Sequence, residues 1–154
     1  MIEQGLYLLI QNTPAIKSIC VQGGGYMDQL PPGWDEVTPS WSWTRVSERP
    51  WYGLQFQPGL ITLMYQIDCY GLGATNITGT GPMGADCIAL AYAIDKVLSG
   101  AGGGLALPDP DQTKLDSVFR TDRKTFFDSA GRTYRVMLEY RVNYFYSGGS
   151  ASPP

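Results

Sequence analysis

Five groups of residues in this sequence have side chains and spacings that could do chemistry. Asp109 and Asp111 flank Pro110, and Asp122 and Asp128 fall within one candidate hairpin. Two carboxylates can divide acid and base work on a sugar, provided their environments push the two pKa values apart. Nothing in the sequence separates these environments, which favours solvated loops; on a surface, Asp109 and Asp111 become candidates for a protein contact. Trp34, Trp41, Trp43 and Trp51, with Tyr52 beside the last, cluster in one short span. Indole rings can fill a core, anchor a protein interface or form a sugar platform, and the spacing leaves all three open. Gly79-Thr80-Gly81-Pro82-Met83-Gly84 fits G-x-G-x-x-G. A dinucleotide site needs that loop tight against a parallel strand, with an acidic residue about twenty positions on. Here the strand ends near Gly71 and the later region is Ala101-Gly102-Gly103-Gly104, so the motif reads as a flexible loop and a helix start. Arg120, Arg123 and Lys124 form the one basic knot, flanked by Asp116, Asp122 and Asp128, which would neutralise it within a hairpin. Cys20, Cys69 and Cys87 are odd in number and contain no C-x-x-C, so neither a zinc site nor a disulfide framework is indicated. Cys69 and Cys87 fall on apolar faces and read as inert core thiols, suited to a reducing cytosol.

Histidine is absent, which removes Ser-His and Cys-His catalysis, imidazole metal sites and imidazole pH switching. The chain has 154 residues and a formal net charge of −3, with 14 acidic against 11 basic residues. That balance argues against a protein that grips nucleic acid. The length suits one domain that buries roughly two-thirds of the surface of its unfolded chain. Charged residues make up only 16%, while 19 glycines and 11 prolines exceed the usual combined share of roughly 12%. A surface poor in charge and rich in turns and rings fits a protein covered by neighbours better than a lone monomer. No run of about 18 apolar residues is present to span a membrane, and the N-terminus lacks the pattern of a signal peptide. Asn76-Ile77-Thr78 is accordingly a glycosylation sequon on paper only.

The elements that must position these residues follow from periodicity. Ile2, Leu6, Leu9 and Ile10 recur at helical spacing, and Pro14 stops that helix. Residues 16–21 read as a brief strand and 22–39 as a long loop. Residues 40–49 read as a strand with Trp41, Trp43 and Arg45 on one side. Ile61, Leu63, Tyr65, Ile67 and Cys69 alternate with polar neighbours, as a half-buried strand does. Residues 82–99 give the strongest helix, with Met83, Cys87, Leu90, Ala91, Ile94, Val97 and Leu98 on one face, Pro82 at its first position and Gly100 as a left-handed stop. Residues 114–128 read as a less regular strand, 128–131 as a hairpin turn, and 134–146 as the clearest strand, with Tyr134, Val136, Leu138, Tyr140, Val142, Tyr144 and Tyr146 on one face. The expected fold is α+β: a mainly antiparallel sheet of four to five strands with two helices packed on one face. Residues 1–146 form one domain in this reading, and 147–154 form a polar tail.

Taken in order, these stretches resemble the tail-completion proteins of long-tailed bacteriophages, also called tail-terminator or head–tail joining proteins. The resemblance runs through the N-terminal helix, the proline-bearing loop into Trp43-Thr44-Arg45-Val46-Ser47, and Gly59-Leu60 before Tyr65-Gln66-Ile67-Asp68-Cys69-Tyr70. It continues in the alanine-rich helix and closes with an aromatic hairpin ending in Tyr134-Arg135-Val136-Met137-Leu138-Glu139-Tyr140. The loops at 22–39 and 71–81 and the tail are longer than the common pattern.

The resemblance implies a non-enzymatic virion protein with no cofactor. Such proteins form a ring, usually of six copies, at the head-proximal end of the tail tube. The ring ends tube growth and meets the connector of the head, and DNA passes through its lumen without specific binding. Assembly takes place in the cytoplasm of the bacterial host, with no membrane partner. Trp34, Trp41, Trp43, Trp51, Tyr52, Asp109, Asp111, Ser147, Pro153 and Pro154 are the candidate contact residues. The alternative from another class is a carbohydrate-binding module built on the tryptophan cluster.

Overall fold

The computed structural model describes residues 2–20, 24–30, 32–33, 39–50, 60–72, 84–101, 103, 105–111, 113–128 and 133–145. Helices α1 (Ile2–Gln11) and α2 (Pro14–Ile19) come first, followed by strands β1 (Gly25–Met27), β2 (Ser40–Pro50) and β3 (Leu60–Leu72). Helix α3 (Ala85–Ser99) and strands β4 (Lys114–Asp128) and β5 (Thr133–Phe145) complete the order. The strands form one sheet, ordered β1-β2-β3-β5-β4. All neighbours are antiparallel except β1 and β2, which run parallel.

Alternation explains the centre of this sheet. Leu63, Tyr65, Ile67 and Cys69 of β3 and Val136, Leu138, Tyr140, Val142 and Tyr144 of β5 are all buried. The two strands pair without a register shift, from Leu60 opposite Phe145 to Leu72 opposite Thr133. A slip of one residue would turn both buried rows to the other face, so this pattern fixes the register. Helix α3 covers the rows with Cys87, Leu90, Ala91, Ile94 and Leu98, and α1 and α2 add Ile2, Leu6, Ile10 and Ile16 to the same core. On the other face of β3, β5 and β4, Thr62 donates to Asn143 at 2.7 Å, and Asn143 donates to Ser117 at 2.9 Å.

The α+β expectation holds, with differences of detail. The described residues form three helices, not the two expected. Residues expected to start a strand at Ile16 form α2 instead. Pro14 both stops α1 and opens α2, since its fixed φ suits a first helical turn and its missing N–H would be unpaired there anyway. Thr13 is extended before it, and its carbonyl accepts from the N–H groups of Ile16 and Lys17 at 3.0 Å. The expected loop 22–39 contains β1. Gly25 is needed there because a Cβ would fall 2.3 Å from the Trp41 ring.

Helix α3 begins at Ala85, not Pro82, which lies outside the described residues. Its N-cap is Gly84 at φ 71°, a left-handed conformation that disfavours a side chain, with the Tyr134 ring 2.6 Å from where a Cβ would stand. Gly100 is right-handed at φ −87°, so it is not the left-handed stop; Gly103, at φ 61°, makes the later left-handed turn. The weaker alternation of β4 has a cause: its pairing with β5 shifts between Leu115 and Ser117 and again between Arg120 and Asp122. β4 and β5 pair antiparallel up to Asp128 opposite Thr133, while Ser129, Ala130 and Gly131 of the expected turn lie outside the described residues.

Candidate functional site

The tryptophan cluster does not form a surface platform in the part that is described. Trp41 is 0% exposed, with its ring 5.8 Å from that of Tyr7 on α1. Trp43 is half-buried and stacks on Tyr65 at 5.6 Å. Both belong to the core where β2 meets the helices, so Trp41 cannot serve as the contact residue the sequence suggested. Arg45, on the same side of β2, forms an ion pair with the buried carboxylate of Glu3 on α1. Trp34, Trp51, Tyr52, Ser147, Pro153 and Pro154 lie outside the described residues.

The two loop carboxylates part company. Asp111 is exposed, whereas Asp109 is buried, which corrects the expectation of a wholly solvated loop. Asp109 accepts from the Thr113 N–H at 2.8 Å and from the Thr113 hydroxyl at 2.7 Å. Burial raises its carboxyl, but the Thr113 hydrogen bonds together with the positive N-terminal amine hold it below the usual carboxylate range. A general acid needs the opposite shift, so Asp109 is an ionised staple of its loop. Leu107, packed against Gly5 of α1, fixes the same loop from the other side.

The basic knot is divided in a way the sequence did not show. Arg120 bonds Asp95 of α3 at 2.8 Å and not a neighbour in its own hairpin. Lys124 does pair with Asp122, at 3.3 Å. Arg123 is exposed. Across the face turned away from α3, Arg135 holds Asp68 at 2.7 Å, with its guanidinium 5.1 Å from the Phe126 ring centre and 5.9 Å from that of Tyr70.

The three thiols are buried. Cys87 donates to the Cys69 carbonyl at 3.0 Å. Burial pushes the Cys20 and Cys87 thiols up to about 12 and raises Cys69 well above its ordinary value. They are neutral and poor nucleophiles, as expected for core residues. Among the described residues, no group of three or more His, Cys, Asp or Glu side chains is placed to hold a metal ion. No described helix is long and apolar enough to cross a membrane.

The feature that sequence reading missed is a set of exposed apolar side chains at the two ends of the sheet. Met27 and Val46 stand at the β1/β2 end, and Phe119, Phe126 and Phe127 stand on β4; Ile88 and Tyr92 of α3, Leu105 and Phe145 are exposed as well. The adjacent pair Phe126-Phe127 breaks alternation, and that break was the available signal.

No family model matches this chain, and no curated protein matches it by sequence. Among solved structures, it is similar to a chain in the virion of a native gene transfer agent (GTA) particle. The TM-score is 0.59 at 15% sequence identity, over 92% of this chain and 92% of the other. The likeness is one of fold: a helix-covered, mainly antiparallel sheet shared with a component of that particle.

Proposed function

We propose that this chain is a structural virion protein that forms a ring at the head-proximal end of a phage or phage-like tail tube, ending tube growth and joining tail to head connector. The observation that carries this reading is the fold shared with a gene transfer agent virion chain over 92% of both. The ordered resemblance to tail-completion proteins supports the finer role. The chemistry found agrees with a non-enzymatic role: the buried carboxylate is an ionised staple, and the thiols are neutral. The ring's partners are further copies of this chain, the tube protein below and the connector above.

DNA passes through the lumen without being gripped. Tight phosphate neutralisation would brake its movement, and the chain carries more acids than bases. Weak or no binding at physiological salt in an anisotropy titration with duplex DNA is the expected result; salt-sensitive sub-micromolar binding contradicts the conduit. The carbohydrate-binding reading loses support, because Trp41 is a core residue. Electron micrographs of the purified chain, and of tails from its host labelled at this protein, test the role. Rings, and label at the head-proximal tail end, are expected; label elsewhere on the particle refutes the terminator position.

A further inference from the structure

We infer that copies of this chain meet head to tail through the two unlike ends of the sheet, the β1/β2 end of one copy against the β4 end of the next. The inference rests on the ring reading above and names the surfaces that would close the ring.

The strand order β1-β2-β3-β5-β4 puts these ends on opposite sides of the molecule. Four strand spacings separate them by about 19 Å. A closed ring of identical copies needs two different patches on well-separated sides of each copy. Both ends expose apolar side chains that a solvated monomer gains nothing from exposing. Met27 is 63% exposed and Val46, at the bulge between Arg45 and Ser47, is 52% exposed. On β4, Phe119 is 58% exposed and Phe126 and Phe127 are each 45% exposed. Phe126 and Phe127 are successive residues, so their rings flank the strand from opposite faces: Phe126 lies under Arg135 and Phe127 lies against Tyr134.

Charge completes the match. At the first end Arg45 is engaged by Glu3 and Glu48, and at the second Lys124 is engaged by Asp122. The start of β4 keeps exposed charges of both signs, Lys114 and Asp116; within the Phe119–Phe127 stretch the exposed charge left is Arg123, opposite in sign to exposed Asp28 beside Met27 at the other end. The contact runs through side chains and not through a continued ladder. Pairing on β2 and on β4 is interrupted by register shifts, and the start of β4 is already covered, with Leu115 donating to the Leu105 carbonyl at 2.9 Å. Bulges and charges of this kind discourage strand-on-strand pairing.

Surface cysteines test the inference, because the three native thiols are buried and do not compete. Chains carrying Val46→Cys, Phe126→Cys or both are treated with a short bismaleimide, after melting curves confirm the fold. The double variant is expected to give a ladder of covalent multimers ending at the ring's copy number, while each single variant stays monomeric. Covalent dimers from a single variant would mean that like ends meet, which overturns the head-to-tail pairing. A double variant that stays monomeric while native mass spectrometry detects the ring places the contact elsewhere, overturning the inference and leaving the ring reading intact. A wild-type chain that forms no ring, in solution or on particles, removes both. Arg123→Glu should weaken self-association at least tenfold at low salt without shifting the melting temperature, and an unchanged association overturns the charge match.

Discussion

Tyr140 of β5 donates its hydroxyl to Asp95 of α3 at 2.8 Å, and the same carboxylate accepts from Arg120 of β4 at 2.8 Å. One acidic side chain thus ties the covering helix to the two last strands. Burial, then the Asp95 carboxylate, pushes the Tyr140 hydroxyl far above its ordinary value, so it remains a donor at any working pH. Tyr140→Phe should cost about 1–2 kcal/mol in urea unfolding, the range for a hydrogen bond to a charged group. Asp95→Ala should cost more, because it leaves the Tyr140 hydroxyl without an acceptor. Equal, negligible effects would show that the tie holds nothing.

The two faces of β5 should respond differently to truncation. Leu138 is fully buried and Arg141 is exposed. Leu138→Ala should cost about 2–5 kcal/mol, and Arg141→Ala about 0.5 kcal/mol or less. Denaturant midpoints measure both, and similar values would contradict the strand's orientation.

Alkaline pH should destabilise the chain through its buried thiols. A thiol that is neutral when folded but free to ionise when unfolded contributes its full stability below the ordinary value of 9.0 and loses it as pH rises toward about 12. Tyr65 and Tyr140 act in the same direction from 10.0 upward. Asp109 acts in the opposite sense: its contribution is present at neutral pH and lost as acid protonates it. The melting temperature should therefore fall steadily above pH 9.0. Replacing Cys20 and Cys87 by alanine should flatten that fall, by up to about 1.4 kcal/mol per pH unit for each thiol. An unchanged slope counts against thiol burial, as would rapid reaction of the native chain with a thiol reagent at pH 8.

Gly84 should tolerate no side chain. Its φ of 71° and the Tyr134 ring 2.6 Å from the Cβ position act together. Gly84→Ala should cost about 1–3 kcal/mol. A neutral result in thermal melts would mean that the start of α3 lies elsewhere.

The legible parts of the sequence were those where a long period repeats. β3 and β5 each carry four or more buried residues at every second position, and α3 carries a full apolar stripe, so sheet and helix could be read from sequence directly. Helix α2 could not: six residues give too little periodicity, and Pro14 serves equally as a stop and a start. β1 is three residues beside a glycine run, and pairing with Trp41–Trp43 defines it more than its own composition does. The candidate contacts were the least legible. Burial of Asp109 depends on Thr113 four residues later and on packing against α1, and burial of Trp41 depends on Tyr7 and Gly25, none of which is a local signal. The partner of Arg120 sits 25 residues away on another element.

Native mass spectrometry of the purified chain across a concentration series, repeated on material released from assembled particles, tests the central claim most directly. The ring reading predicts a closed species of about 101 kDa for six copies of a 16.9 kDa chain. A chain that remains monomeric at every concentration, and is also present singly on particles, contradicts it.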